Sequence, residues 1–81
     1  MAKRDRDNPR HWDVYHRLNG SPVRARLNSG NAYLMEPNPT HGQPVMCRPG
    51  EWDVREGECG LGWRHAVSPD VFREFYTRIA S

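Results

Sequence analysis

Hydrophobic and polar residues alternate along most of this chain, in six short segments that are divided by turn residues. Alternation with a period of two is typical of strands that turn one face toward a core. Asn19-Gly20 follows the first segment and is a strong hairpin signal, because both residues tolerate a positive φ. We predict that the first three segments form a meander and that three more strands follow. The six predicted strands are 12–18, 23–27, 32–35, 45–48, 52–55 and 63–67.

The C-terminal end of the chain changes to a helical period. Ser68 is a suitable N-cap, Pro69 suits the first helical position, and Asp70 favours the positive end of the helix dipole. One apolar stripe follows at the spacings i, i+3, i+4 and i+7. Its members are Phe72, Phe75, Tyr76 and Ile79. We therefore predict a helix over 69–79 that docks on the sheet.

Together these elements predict an α+β, mostly β fold. We expect a small antiparallel barrel-like or strongly curved sheet of five to six strands, closed by one C-terminal helix. Residues 11–81 form this single β-rich domain, and residues 1–10 are predicted to be a disordered basic tail that carries the whole net charge of +2. The expected core residues are Trp12, Val14, Leu18, Val23, Ala25, Leu27, Leu34, Val45, Cys47, Trp52, Val54, Trp63, Val67, Phe72, Phe75, Tyr76 and Ile79.

The bulk composition narrows the classes of function. No apolar run approaches the ~20 residues that a membrane helix needs, and the first residues lack the apolar stretch of a signal peptide. We therefore expect a cytoplasmic protein without a membrane partner. A chain of 81 residues has a thin core and is a poor host for a water-excluding pocket. We accordingly expect neither an enzyme nor a cofactor.

Acidic residues are concentrated in the middle of the chain, which suggests a site. The simplest interpretation is that they pair with arginines across neighbouring strands. The alternative is an acidic surface for a basic protein partner, together with the proline-rich loop 36–44. Our predicted partner-binding residues are Glu51, Asp53, Glu56, Glu58, Asn38 and His41.

A second hypothesis is a single-stranded nucleic-acid-binding β-domain. Arg24 and Arg26 project from one face of a predicted strand, and Tyr15 with Arg17 is expected on the same face of its neighbour. Aromatic and basic side chains interleaved on a sheet can stack on bases and neutralise phosphates. Against this hypothesis, residues 11–81 carry no net charge.

A lesser alternative is a small domain stabilised by zinc. His41, Cys47, Cys59 and His65 are all residue types that bind zinc. No pair of them is as close in sequence as the Cys-x2-Cys knuckles of most structural zinc sites. The other interpretation is two free thiols and two ordinary histidines, so we assign no metal.

The C-terminal half contains a series of short motifs. They are Pro49-Gly50-Glu51-Trp52, then Gly57-Glu58, then Trp63, then Pro69-Asp70-Val71-Phe72 with Tyr76. This series resembles the PGDYG family of short phage and bacterial proteins, with Glu51 and Trp52 at the family's acidic and aromatic positions. The resemblance implies a small accessory protein of phage or mobile-element origin, of the kind that inhibits a bacterial defence complex (anti-CRISPR-like).

Our leading hypothesis is therefore a small, non-enzymatic protein-binding module in the cytoplasm of a bacterial host cell. Its expected partner is a bacterial nucleic-acid-binding complex, because an acidic surface complements a basic groove. Nucleic acid is the second candidate partner. A homodimer is a further alternative, because exposed strand edges can pair with a second copy of the chain.

Overall fold

The computed structural model describes residues 8–79, which form two β-sheets and one α-helix. The strands are β1 (Asp13–Arg17), β2 (Pro22–Leu27), β3 (Tyr33–Leu34), β4 (Met46–Cys47), β5 (Trp52–Glu56), β6 (Arg64–Val67) and β7 (Tyr76–Arg78), and the helix is α1 (Pro69–Phe75). Five strands form an antiparallel sheet in the order β6-β5-β2-β1-β7, and β3 pairs with β4 in a separate sheet. The prediction of a small, mostly β fold with an antiparallel sheet and one C-terminal helix is confirmed.

The hairpin between β1 and β2 is formed as predicted, but with a three-residue loop. The amide of Gly20 donates to the carbonyl oxygen of Arg17 at 2.8 Å, and Gly20 adopts a φ of 90°. A type I turn followed by glycine in the left-handed region is a common hairpin connection. The predicted meander is wrong beyond this point, because β2 pairs with β5 and β3 pairs with β4.

The five-stranded sheet is open, so the barrel-like prediction is wrong. The chain leaves β6 at one edge, crosses one face of the sheet as α1 and returns as β7 at the opposite edge. The edge strands β6 and β7 therefore lie on opposite sides of the sheet and do not pair to close a barrel. Both edge strands are short, at four and three residues, which limits pairing with other chains.

The predicted helix 69–79 is too long at its C-terminal end. The helix ends at Phe75, and the next three residues pair with β1. The amide of Leu18 donates to the carbonyl oxygen of Phe75 at 3.2 Å, and the amide of Ile79 donates to that of Val14 at 3.0 Å. These bonds with β1 replace the helical hydrogen bonds. As a result, only Phe72 of the predicted stripe is buried.

One face of the five-stranded sheet, which we call the helix face, contains the apolar core. Directly paired residues point to the same face of a sheet, and Ala25 pairs with Val54. Val23 and Val54 are fully buried, and Phe72 of α1 packs against them. Half-buried residues surround this cluster, namely Tyr15, Trp52, Val67 and Tyr76.

The opposite face, which we call the arginine face, contains Arg24, Arg26, Asp53, Arg55 and Arg64, which the register places together. Trp12 and the β3–β4 sheet cover part of it. The Asp53 carboxylate is fully buried and accepts hydrogen bonds from Arg55 Nε at 2.7 Å and from the Tyr33 hydroxyl at 2.6 Å. The guanidinium groups of Arg26 and Arg55 lie 4.6 and 5.1 Å from the centre of the Trp12 ring. A polar and aromatic layer therefore stabilises this face.

Several predicted core residues are exposed in the structure. They are Leu18, Leu27, Leu34, Trp63, Phe75 and Ile79. Most of them lie in turns, at strand ends or in the short β3–β4 sheet, where few neighbouring elements are available to cover them. Conversely, Met35 and Asp53 are buried although they were not predicted to be core residues.

The N-terminal boundary also differs from the predicted one. Pro9–His11 form a 3₁₀-helix whose N-cap, Asn8, accepts a hydrogen bond from the amide of Arg10 through its side chain. Residues 8–10, assigned to the tail from the sequence, thus belong to the folded part. Residues 1–7 of the predicted tail lie outside the described residues. Within residues 8–79, no helix has the length and apolar character needed to cross a membrane.

Candidate binding groove

The helix α1 is too small to cover the helix face. Seven residues at ~1.5 Å each give a helix of about 10 Å. Five strands at ~4.8 Å spacing make the sheet about 19 Å wide. Part of the helix face is therefore left open beside α1, where β2 ends and β5 begins.

The open part forms a groove with aromatic and aliphatic walls. One section has a volume of about 630 Å³ and is lined on the helix face by Tyr15, Ala25, Leu27 and Trp52. A second section of about 620 Å³ adjoins α1 and is lined by Phe72 and Tyr76 among others. Both sections include Tyr15, Leu27 and Trp52, so they form one continuous surface. We call it the aromatic groove.

Ring contacts hold the aromatic wall of this groove in place. Trp52 and Phe72 stack with their ring centres 4.0 Å apart, and Phe72 stacks on Tyr76 at 4.8 Å. Tyr15 meets Trp52 edge-on at 5.7 Å. Stacked and edge-on contacts of this kind stabilise one arrangement of the rings. The groove is therefore preformed.

Asp13, Tyr15 and Arg26 contribute polar groups to the mouth of the groove. The Asp13 carboxylate lies 3.3 Å from Arg78 Nη2. Burial raises the pKa of the Tyr15 hydroxyl above its ordinary value of 10, and Asp13 raises it further. The hydroxyl is consequently neutral at physiological pH. Arg26 lines the same mouth while its guanidinium lies over Trp12.

A charged cluster lies on the same face at the other end of β5. Glu56 Oε2 accepts a hydrogen bond from Arg17 Nη2 at 2.7 Å and lies 2.5 Å from His65 Nε2. Burial alone would raise the pKa of Glu56, but the contacts with His65 and Arg17 outweigh burial and lower it. The cluster links β1, β5 and β6 across the sheet.

The comparisons with known proteins do not assign this chain to a family. Comparison of the chain with protein-family models, with curated proteins and with solved structures finds no match. The resemblance to the PGDYG family remains a prediction.

The acidic residues predicted to bind a partner do not form one surface. Asp53 is buried on the arginine face, whereas Glu56 lies on the helix face in the charged cluster. The Glu51 carboxylate accepts a hydrogen bond from the Arg48 amide at 2.8 Å, and Glu58 is exposed in the following turn. The prediction that Glu51 and Asp53 share an exposed face is wrong, because the buried Arg55 guanidinium needs the Asp53 carboxylate as its counter-charge.

The two loop residues of that predicted surface also have different surroundings. The Asn38 side chain accepts a hydrogen bond from the amide of Arg64 at the start of β6. His41 is exposed in a turn with a φ of 65°. Asn38 therefore connects the proline-rich loop to the sheet, while His41 faces solvent.

The predicted nucleic-acid face is divided between the two faces of the sheet. Tyr15 pairs with Val23, whereas Arg24 pairs with Val14, so Tyr15 and Arg24 point in opposite directions. Arg17 lies on the helix face with Tyr15, and Arg26 lies on the arginine face with Arg24. The expectation that all four share a face is wrong, because the hairpin register places the arginines of β2 opposite the even-numbered residues of β1.

The four candidate zinc ligands are not brought together. Cys47 is buried next to Tyr33 and Glu51, while Cys59 is exposed in a turn, and both are free thiols. His65 contacts Glu56 and His41 lies in the proline-rich loop. Within residues 8–79, no group of three or more histidine, cysteine, aspartate or glutamate side chains is placed to hold a metal ion.

The aromatic groove was not predicted from the sequence. Leu27 and Trp52 were predicted to be core residues, because both occupy the apolar positions of alternating strands. A helix of eleven residues would be about 16 Å long and would cover more of the sheet. The available signal was the segment 76–79, in which β-branched Thr77 and Ile79 are compatible with a strand as well as with a helix.

Proposed function

We propose that this chain is a non-enzymatic protein-binding module and that the aromatic groove is its binding surface. The observation that carries the proposal is the half-covered helix face, where Tyr15, Leu27 and Trp52 line a continuous groove. Leu27 is 45% exposed, although it lies directly opposite Trp52 in the sheet. Exposed apolar surface that forms a concave, preformed site is typical of an interaction surface.

Two further features favour binding over catalysis. Tyr15, Trp52 and Phe72 give the groove an aromatic wall, and aromatic side chains contribute much of the binding energy in protein interfaces. The Tyr15 hydroxyl, with its raised pKa, is a neutral hydrogen-bond donor rather than a base. These groups suit recognition of an apolar partner segment.

The nucleic-acid alternative has less support from the geometry. The guanidinium group of Arg24 donates to the carbonyl oxygens of Trp12 at 2.6 Å and of Glu58 at 2.7 Å. Arg55 is bound to Asp53, and Arg64 donates to the carbonyl oxygen of Gly62 at 2.9 Å. Arginines that bind protein oxygens must lose these contacts before they bind phosphates.

The resemblance to the PGDYG family supports a more specific proposal. We infer from it an origin in a phage or mobile element, with a component of a bacterial defence complex as the partner. Inhibition of such a complex is compatible with a chain whose function is to bind. The cytoplasm of the bacterial host is the location that this function requires.

The test is a comparison of two leucine variants in a pull-down from nuclease-treated bacterial lysate. Leu27→Glu places a charge in the aromatic groove, and Leu61→Glu is the matched control at an exposed leucine in a turn. Circular dichroism first checks that both variants are folded. A stoichiometric protein that is retained by the wild type and by L61E but lost by L27E supports the proposal. Equal retention by both variants, or retention of nucleic acid alone, would overturn it.

A further inference from the structure

Strand β2 extends beyond its partner β1 at the aromatic groove. The last residue pair between them is Asp13 with Ala25, whereas β2 continues to Leu27, which pairs with Trp52 on its other side. Before Asp13 the chain forms the 3₁₀-helix Pro9–His11, which contacts β2 but does not continue β1 as a strand. No strand therefore lies beside Leu27 on the β1 side within residues 8–79.

The backbone of Leu27 points into this gap. In an antiparallel sheet, successive residues direct their backbone groups to opposite neighbours. On the β5 side, the amide of Asn28 donates to Glu51 at 2.8 Å and the carbonyl oxygen of Pro22 accepts from Gly57 at 3.0 Å. Even-numbered residues of β2 thus face β5, and odd-numbered residues, including Leu27, face β1. Among residues 8–79, no hydrogen-bond partner for the amide and carbonyl of Leu27 is found on that side.

Leu27 lines the section of the groove that Tyr15 and Trp52 also line, with His11 of the 3₁₀-helix at its border. We propose that this section binds an extended segment of a partner protein, which pairs with the backbone of Leu27 and places an apolar side chain against Trp52. This inference rests on the proposed function and specifies the conformation of the partner. Addition of a strand to a sheet gives affinity through the main chain and specificity through side-chain pockets.

An extended segment matches the site better than a helix does. A helix uses its own backbone groups internally, so it cannot satisfy the amide and carbonyl of Leu27. A residue directly opposite Leu27 in an added strand has its side chain on the same face of the sheet as Leu27 and Trp52. That face is the one on which the groove is open. Backbone pairing and side-chain burial are therefore compatible in a single pose.

The experiment uses peptides selected against the full chain from a random library of twelve-residue sequences. The best peptide is synthesised together with a series in which each backbone amide in turn is N-methylated. Affinity is measured for the wild type, for L27E and for the control L61E. Hydrogen exchange of the Leu27 amide is followed by NMR on the ¹⁵N-labelled protein with and without the peptide.

The proposal predicts that L27E, but not L61E, weakens binding by at least about tenfold. It also predicts that one N-methylated position lowers affinity by at least about tenfold, and that the peptide slows exchange of the Leu27 amide by a similar factor. In another outcome, a peptide loses affinity for L27E and yet leaves the Leu27 amide unprotected and tolerates every N-methylation. That result overturns the extended conformation of the bound segment, while the groove remains a protein-binding site. The inference is overturned if no selected peptide loses affinity for L27E. It is also overturned if a second copy of the chain or an oligonucleotide occupies the groove instead. In those cases the lysate experiment decides the proposed function separately.

Discussion

Replacement of Asp53 by asparagine is the most informative test of the arginine face. Asp53 is fully buried and accepts two hydrogen bonds from Arg55, at 2.7 and 3.2 Å, and one from Tyr33 at 2.6 Å. Asparagine preserves the size of the side chain but removes its charge. The Arg55 guanidinium, which is itself buried, then has no counter-charge at this position.

The expected loss is large compared with the stability of so small a domain. Removing one partner of a buried ion pair costs about 3–5 kcal/mol, because the remaining charge stays desolvated. At roughly 0.05–0.15 kcal/mol per residue, the whole chain has a free energy of unfolding of about 4–12 kcal/mol. The Asp53→Asn variant should therefore unfold at a much lower urea concentration than the wild type, or fail to fold at room temperature.

The measurement is urea denaturation followed by the fluorescence of the three tryptophans. Asp70→Asn is the matched control, because Asp70 also pairs with an arginine, Arg73 at 2.8 Å, but is almost fully exposed. Exposed pairs contribute little to stability. A loss of under about 1 kcal/mol for Asp53→Asn, or equal losses for both variants, would refute the argument that the buried carboxylate stabilises this face.

Three further predictions concern other parts of the molecule. The pKa of Glu56 is lowered from 4.5, so its ionisation stabilises the fold above that pH, and this contribution is lost as the pH falls through the folded-state pKa. Glu56→Gln should therefore flatten the acid side of a plot of urea midpoint against pH. An unchanged slope would contradict this prediction. Gly60 has a φ of 73°, and a β-carbon at this position would lie 2.6 Å from the Pro9 side chain. Gly60→Ala should therefore lower the free energy of unfolding by more than about 1 kcal/mol, whereas the control Gly30→Ala should not. Cys59 is exposed and Cys47 is buried with a raised pKa, so a thiol reagent should modify one cysteine in the native protein and both only in urea; equal rates in the native protein would argue against the fold.

Local patterns in the sequence predicted most of the secondary structure. All six predicted strands and the start of the helix lie where alternation, turn residues and the Ser68 cap placed them, whereas β7 was not predicted. Each of these signals depends only on residues close in sequence. The C-terminal end of the helix was ambiguous, because β-branched Thr77 and Ile79 are compatible with a strand, although the apolar spacing over 72–79 is helical. Residues 76–78 form a strand because they pair with β1. Pairing between segments that are distant in sequence cannot be predicted from local periodicity.

The errors in the predicted site have the same origin. Whether Tyr15 shares a face with Arg24 or with Val23 depends on the hairpin register, and a shift of one residue reverses every side chain. The three-residue loop at Leu18–Gly20 sets this register, and the sequence was interpreted as a two-residue signal. Asp53 was assigned to a solvated surface because charged residues are rarely buried without a partner. Its partner Arg55 lies two residues away on the same face of β5, whereas Tyr33 reaches it only because β3 lies over the sheet.

The two faces of the sheet stabilise the fold in different ways, and this difference explains how a groove can remain open. On the arginine face, the bonds of Asp53 to Arg55 and Tyr33 are directional, so they determine how the β3–β4 sheet and Trp12 sit. On the helix face, stabilisation comes from Phe72 packed among Val23, Ala25 and Val54. That packing is complete after seven helical residues, because the next three add β7 to the sheet instead of extending the helix. The chain thus gains an edge strand and leaves the surface around Leu27 uncovered, so a partner can bury it without first displacing any part of the core.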